Sequence, residues 1–107
     1  MTITLTEAGK DASKLAVNGA LTIYEAASAK AALLEALTKT RELEIDLSGV
    51  DEIDSAGVQL LILLKREAVK AGKHMRLAQH SAASLEVLDR YQLASYFGDP
   101  VVLSPDA

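Results

Sequence analysis

Apolar residues along the chain first alternate in short runs and then recur every three or four positions, and the switches between these two periods mark the elements. Ile3 to Leu5 and Lys14 to Val17 read as short strands, with Asn18-Gly19 as a candidate tight turn leading into Ala20 to Ile23. Residues 25–39 place Ala26, Ala29, Leu33 and Leu37 on one stripe, which predicts an amphipathic helix whose alanines permit close packing on a sheet. Alternating Leu43, Ile45 and Leu47 predict a strand over 42–48. An acidic turn follows, and then a helix that begins at Asp54-Ser55 and extends to Ala68 and Val69, beyond any ordinary strand length. Ala71-Gly72 supplies a residue able to take the left-handed conformation that closes a helix. Met75 to Ala78 reads as the next strand. Ser81 or Ser84 is placed to cap a helix through about Arg90 with Leu85, Val87 and Leu88 turned inward, and Val101-Val102-Leu103 reads as a last short strand.

Strands first, then strand alternating with helix, define an α/β fold: a central, mostly parallel mixed β-sheet of about four to five strands with three to four α-helices packed on it. Residues 1–107 form one domain on this reading, because the chain has no repeat, no low-complexity tract and no linker, and Pro100 and Pro105 both lie near its end. In such sheets binding sites gather where strands end and helices begin, and the Leu47-to-Ser55 connection is such a place.

Composition narrows the function. Half of the 107 residues are apolar, but only Tyr24, Tyr91, Tyr96 and Phe97 are aromatic, so nothing points to stacking on nucleobases. A net charge of −4 argues against nucleic-acid binding driven by phosphate neutralisation. The absence of cysteine removes disulfides, thiolate metal sites and thiol nucleophiles together, and fits a reducing, cytoplasmic home. No basic and apolar leader opens the chain, and the longest apolar run, Val58 to Leu64 broken by Gln59, falls short of the ~20 residues a membrane span needs, so no direct membrane insertion is expected. The charge is unevenly placed. Glu42, Glu44, Asp46, Asp51, Glu52 and Asp54 precede Ser55, and Lys65, Arg66, Lys70, Lys73 and Arg76 follow it, either as solvated faces or as an acidic patch that steers a basic partner.

Ser55 is the chemically suggestive residue. A hydroxyl at a helix start can cap the helix or carry a phosphate, since exposed amides and the positive end of the helix dipole favour oxygen there. Catalysis by this serine would require a base within hydrogen-bond reach and a third group orienting it. His74 and His80 bracket one strand and cannot converge, no Gly-x-Ser-x-Gly elbow is present, and metal-ligand and phosphate-loop spacings are missing. The chain reads as a protein that is acted upon, with no cofactor and no metal.

The residues resemble the sulfate transporter and anti-sigma-factor antagonist (STAS) domain, particularly its single-domain bacterial members, over nearly the whole chain. Ile45-Asp46-Leu47-Ser48 looks like the family's strand ending, and Asp54-Ser55-Ala56-Gly57 looks like its Asp-Ser-x-Gly turn. The leucine-rich helix, Gly72 before the next strand and the close from Leu93 to Phe97 follow in the family's order. The resemblance implies a partner switch. A serine kinase of the histidine-kinase-like ATPase fold, often itself an anti-sigma factor, phosphorylates the serine matching Ser55 and thereby loses its antagonist, and a phosphoserine phosphatase restores binding.

On that resemblance the partner-binding residues are Asp46, Asp51, Asp54, Ser55, Ala56 and Gly57, with Thr22 after the second strand, and Asp46 lies near the serine. Ala56 replaces the second serine of the frequent Asp-Ser-Ser-Gly, and Thr22 stands where many members carry an acidic residue, so partner choice is expected to differ. Two alternatives also follow from the resemblance: an accessory subunit binding the ATPase of an ABC-type lipid transport complex, and a regulator within a chemosensory or two-component cluster.

Overall fold

The structure, a computed structural model, describes residues 1–91. Four strands and three helices fill that span: β1 (Thr2–Gly9), β2 (Ala12–Leu21), α1 (Ala26–Thr38), β3 (Glu42–Ile53), α2 (Ser55–Lys70), β4 (His74–His80) and α3 (Ala82–Arg90). The strands lie in sequence order in one sheet, with β1 antiparallel to β2 and the pairs β2/β3 and β3/β4 parallel. The expected strand at Val101–Leu103 and the close at Leu93–Phe97 lie outside the described residues.

Register explains why the strands alternate. Leu15, Ile45 and Leu77 are paired neighbours across the sheet, and all three are buried. One step back, Lys14, Glu44 and Arg76 are neighbours on the opposite face, where Glu44 pairs with both cations. A parallel sheet covered on both faces would show continuous apolar runs; this one keeps a polar face and so alternates. The apolar face packs under Ala29, Leu33 and Leu37 of α1 and Leu61, Leu64 and Ala68 of α2. Each such leucine withdrawn from water contributes about 1.5–3 kcal/mol, and the alanines let the helix axes approach.

Two turns differ from the sequence reading. Asn18-Gly19 is not a turn: β2 runs through it to Leu21, and the pair marks irregularities in the β2/β3 register, with Gly19 at φ +98°. The hairpin turn sits earlier, at Gly9 and Asp11, both in positive-φ conformations. The carbonyl of Asp11 there accepts from the amides of Arg41 and Glu42 and from the Thr40 hydroxyl, which ties the hairpin to the start of β3. The acidic stretch after Ser48 is not a turn either. β3 continues to Ile53, because Gly49, Val50, Glu52 and Ile53 find partners at Asn18, Gly19, Ala20 and Leu21. β4 ends opposite Leu47, so the far half of β3 pairs with β2 alone. Elsewhere the expected ends hold: Gly72 has φ +70° after α2, and Ser81 caps α3 by accepting from the Ser84 amide at 3.0 Å.

Candidate functional site at the start of the second helix

Because β2 and β3 run parallel and end together at Leu21 and Ile53, the chain leaves both strands at the same edge of the sheet. The segment 22–25 that leads into α1 therefore meets Asp54 and Ser55 at the start of α2. Asp54 joins the two. Its backbone N–H donates to the Leu21 carbonyl at 3.4 Å, one carboxylate oxygen accepts from the Gly57 amide at 3.1 Å, and the other accepts from the Ile23 amide at 2.9 Å. These amides, that of Ile23 above all, then those of Gly57 and Ala56, outweigh desolvation and hold the Asp54 carboxyl below its ordinary pKa.

Asp54, and not Ser55, is the helix cap. A carboxylate has two acceptor oxygens, so one residue can satisfy the helix amide and the facing loop amide together, which a single hydroxyl cannot do. Ser55 is thereby displaced to the first helical position, exposed, and its hydroxyl makes no hydrogen bond among the described residues. α1 has no side-chain cap of its own; its start rests on the Thr22-to-Glu25 turn, in which the Glu25 amide donates to the Thr22 carbonyl, and on the Asp54–Ile23 bond.

Gly57 permits this arrangement. A Cβ there would lie 2.3 Å from the Leu21 carbonyl oxygen and 2.8 Å from an Ile53 side-chain carbon, so only glycine lets the first turn of α2 sit against the ends of β2 and β3. The residue is buried and acts through packing.

The expected partner-binding residues separate under this geometry. Asp54, Ser55, Ala56 and Gly57 share the first turn of α2, with Ser55 outermost. Asp51 lies exposed on the end of β3, two residues before the strand stops. Thr22 adjoins the turn but is only 6 % exposed, so its side chain lies beneath the surface. Asp46 is not near the serine. It sits in mid-strand between Ala16 and Ala78 on the polar face of the sheet, roughly 23 Å of extended chain before Ile53. Burial opposes its ionisation, but the Ser48 hydroxyl and amide, donating to one carboxylate oxygen at 2.6 and 2.8 Å, and the charge of Lys14 lower its pKa overall. The six acidic residues before Ser55 do not form one patch: Glu42 and Ile53 are at opposite ends of β3, Glu44 is neutralised by Lys14 and Arg76, and only Asp51, Glu52 and Asp54 stand at the Ser55 end.

Ile23 and Tyr24 complete the surface and were not singled out by sequence. They are 66 % and 90 % exposed, immediately before α1, and Ile23 is held to Asp54 by its own amide. An apolar Ile-Tyr pair after a strand reads as core unless the strand's end is known. Exposed aromatic and aliphatic side chains around an exposed hydroxyl are the composition of a protein-binding surface. Among the described residues no group of His, Cys, Asp and Glu is arranged to hold a metal ion, and no helix is long and apolar enough to cross a membrane.

A four-stranded mixed sheet under three helices, with a glycine-packed serine turn at the strand ends, defines a small α/β module. The chain belongs to the STAS domain family: the profile described as "Mlab, STAS domain" matches residues 4–103. Solved structures with the same fold include an anti-sigma factor antagonist from Mycobacterium paratuberculosis (21 % identity, 90 % of this chain and 83 % of that one, TM-score 0.76). The Bacillus cell fate determinant SpoIIAA in its phosphorylated form is similar at 16 % identity, with 89 % and 87 % coverage and a TM-score of 0.70. A sulfate transporter family protein from Wolinella succinogenes is similar at 18 % identity, with 87 % and 76 % coverage and a TM-score of 0.72. No curated protein matches the chain.

Proposed function

We propose that this domain is an anti-sigma-factor antagonist of a partner-switching pathway, controlled by reversible phosphorylation of Ser55. The observation that carries the reading is the division of labour between Asp54 and Ser55: the aspartate does the capping, so the serine hydroxyl is exposed and free to be modified without dismantling the helix start. A phosphate adds about −1.5 to −2 charge. Asp54 already engages the amides that would otherwise receive it, so the phosphate projects outward beside Asp54 and near Asp51 and Glu52. The helix dipole offsets that repulsion only in part. A partner fitted to the neutral hydroxyl and to Ile23 and Tyr24 then meets a dense anionic surface and dissociates.

The matching partners are a serine-kinase anti-sigma factor of the histidine-kinase-like ATPase fold and a phosphoserine phosphatase. The similarity to SpoIIAA, a protein solved in a phosphorylated form, supports this assignment. Membership of the family whose profile is described as "Mlab, STAS domain" supports a second reading, in which the domain is an accessory subunit that the same surface seats on the ATPase of an ABC-type lipid transport complex and Ser55 is never modified. Affinity capture of tagged wild type and Ser55→Asp from native cells, read by mass spectrometry, separates them. An ATPase-fold serine kinase captured by wild type and lost with Ser55→Asp is the expected result; a transporter ATPase retained by both refutes the switch.

A further inference from the structure

An open groove of about 500 Å³ runs between α1 and α2, beginning beside the Ser55 turn at Ala56 and extending to Arg66. Its floor is apolar, from Ala26, Ala27, Leu60, Ile62 and Leu63, and its two cations are Lys30 from α1 and Arg66 from α2. Lys14, Lys39, Lys70, Arg76 and Arg90 are all in ion pairs, and Lys65 and Lys73 donate to the Met75 and Leu37 carbonyls. Four of the eleven Lys and Arg residues, Lys10, Lys30, Arg41 and Arg66, have no side-chain ion pair or hydrogen bond among the described residues, and of these only Lys30 and Arg66 line the groove. In a chain of net charge −4, an apolar trough carrying two uncompensated positive charges is complementary to an anionic, half-apolar object.

We propose that this groove binds an acidic amphipathic helix of a partner protein. The ten residue steps of α2 from 56 to 66 span about 15 Å, close to three helical turns, which matches the i, i+3, i+4, i+7 stripe of a docked helix. Small residues at Ala26, Ala27 and Ala56 allow its backbone to come close. Acidic residues flanking the stripe then meet Lys30 on one side and Arg66 on the other. The openness of the trough favours a helix over an acyl chain, because a helix needs only one face covered while a small ligand is normally buried over most of its surface. This surface adjoins Ser55 but does not depend on its modification.

The test uses the full-length protein and two fluorescein-labelled helical peptides of about 16 residues, one with leucines at i, i+3, i+4, i+7 flanked by glutamates and a twin with lysines in place of the glutamates. Anisotropy titrations at low salt compare wild type with K30E/R66E, whose folding is checked by thermal melting, and amide NMR shifts locate the contact. The acidic peptide is expected to bind wild type with shifts at Ala27, Gln59 and Leu63, to weaken about tenfold or more with K30E/R66E, and to yield to the lysine twin on that variant. Absence of acidic-peptide binding up to about 1 mM, equal binding to both proteins, or preference of wild type for the lysine twin overturns the proposal. So does displacement of the peptide by oleate with the same dependence on Lys30 and Arg66, which assigns the groove to an anionic amphiphile. Self-association abolished by K30E/R66E in sedimentation assigns it to a second copy of this chain and equally overturns it.

Discussion

Replacing Asp54 by alanine removes two interactions that hold two different helices, and its cost can be worked from the structure. Loss of the cap on the Gly57 amide costs about 1 kcal/mol. The bond from the Ile23 amide is charge-assisted, a class that contributes about 1.5–3 kcal/mol, but solvent reaches it, so a figure below that range, about 1 kcal/mol, is the fair one. Together Asp54→Ala should destabilise by about 2 kcal/mol and lower the melting temperature by roughly 10 °C for a domain of this size. Asp54→Asn keeps one acceptor oxygen for Gly57 but turns an NH2 toward the Ile23 N–H, so about half the loss should remain.

The pH dependence has a definite sign. Asp54 is held by amides below its ordinary carboxyl value of 3.8, so its stabilisation is fully present above that value and is lost as pH falls through the lower folded value. The gap in melting temperature between wild type and Asp54→Ala should therefore be flat between about pH 5 and pH 8 and close toward about pH 2. Thermal melts across that range decide the matter. A variant melting within about 2 °C of wild type at neutral pH, or a gap unchanged at the acid end, would refute the claim that Asp54 organises this edge.

Three further outcomes follow from the same geometry. Ser55→Ala should change stability by no more than about 0.5 kcal/mol in chemical denaturation, because the hydroxyl makes no hydrogen bond among the described residues. Gly57→Ala should destabilise by about 2 kcal/mol or more and shift the NMR signals of Ser55 and Leu21, since its methyl meets a backbone oxygen that cannot move aside without displacing the strand. Tyr24→Ala should leave the melting temperature within a few degrees while weakening capture of the Ser55-dependent partner about tenfold or more, as expected for an exposed aromatic anchor.

How much was legible depended on whether one signal or two competed at a position. β3 over 42–48 was plain because its outer face is polar, and α2 was plain from sheer apolar length. The end of β3 was not, because Asp51 and Glu52 look like turn residues when read singly; Val50 and Ile53 carry the strand on, but the bulges opposite Asn18 and Gly19 break the alternation that would reveal it. Asn18-Gly19 matches a hairpin signal, yet the antiparallel partner is β1, on the far side of Gly9-Lys10-Asp11, and a turn at 18–19 would have detached the edge that Leu21 supplies to Ile53. At the site, Asp54 and Ser55 are both good caps by type. Only the parallel arrangement of β2 and β3, which brings the Ile23 amide within reach, gives the two-oxygen residue the advantage.

That choice has a consequence for how the site works. Had Ser55 been the cap, attaching a phosphate would have forced a contest between the helix amides and the new charge, and modification would have been coupled to helix stability. With Asp54 as cap, both helix starts remain fixed while the adjacent hydroxyl varies, so on the proposed reading a phosphate on Ser55 changes surface charge without loosening either helix start. The same bond sets the backbone of Ile23, the residue before the exposed Tyr24. Asp54 is thus a positioning residue for the whole surface although it contributes little area to it. Asp54→Asn and Ser55→Asp should therefore both weaken partner capture but divide in a second readout: the asparagine variant shifts the amide NMR signals of Ile23 and Tyr24 and lowers the melting temperature, whereas Ser55→Asp leaves both in place. If the two variants instead perturb Ile23 and Tyr24 alike, position and charge are not separable here, and the division of labour between the paired residues is wrong.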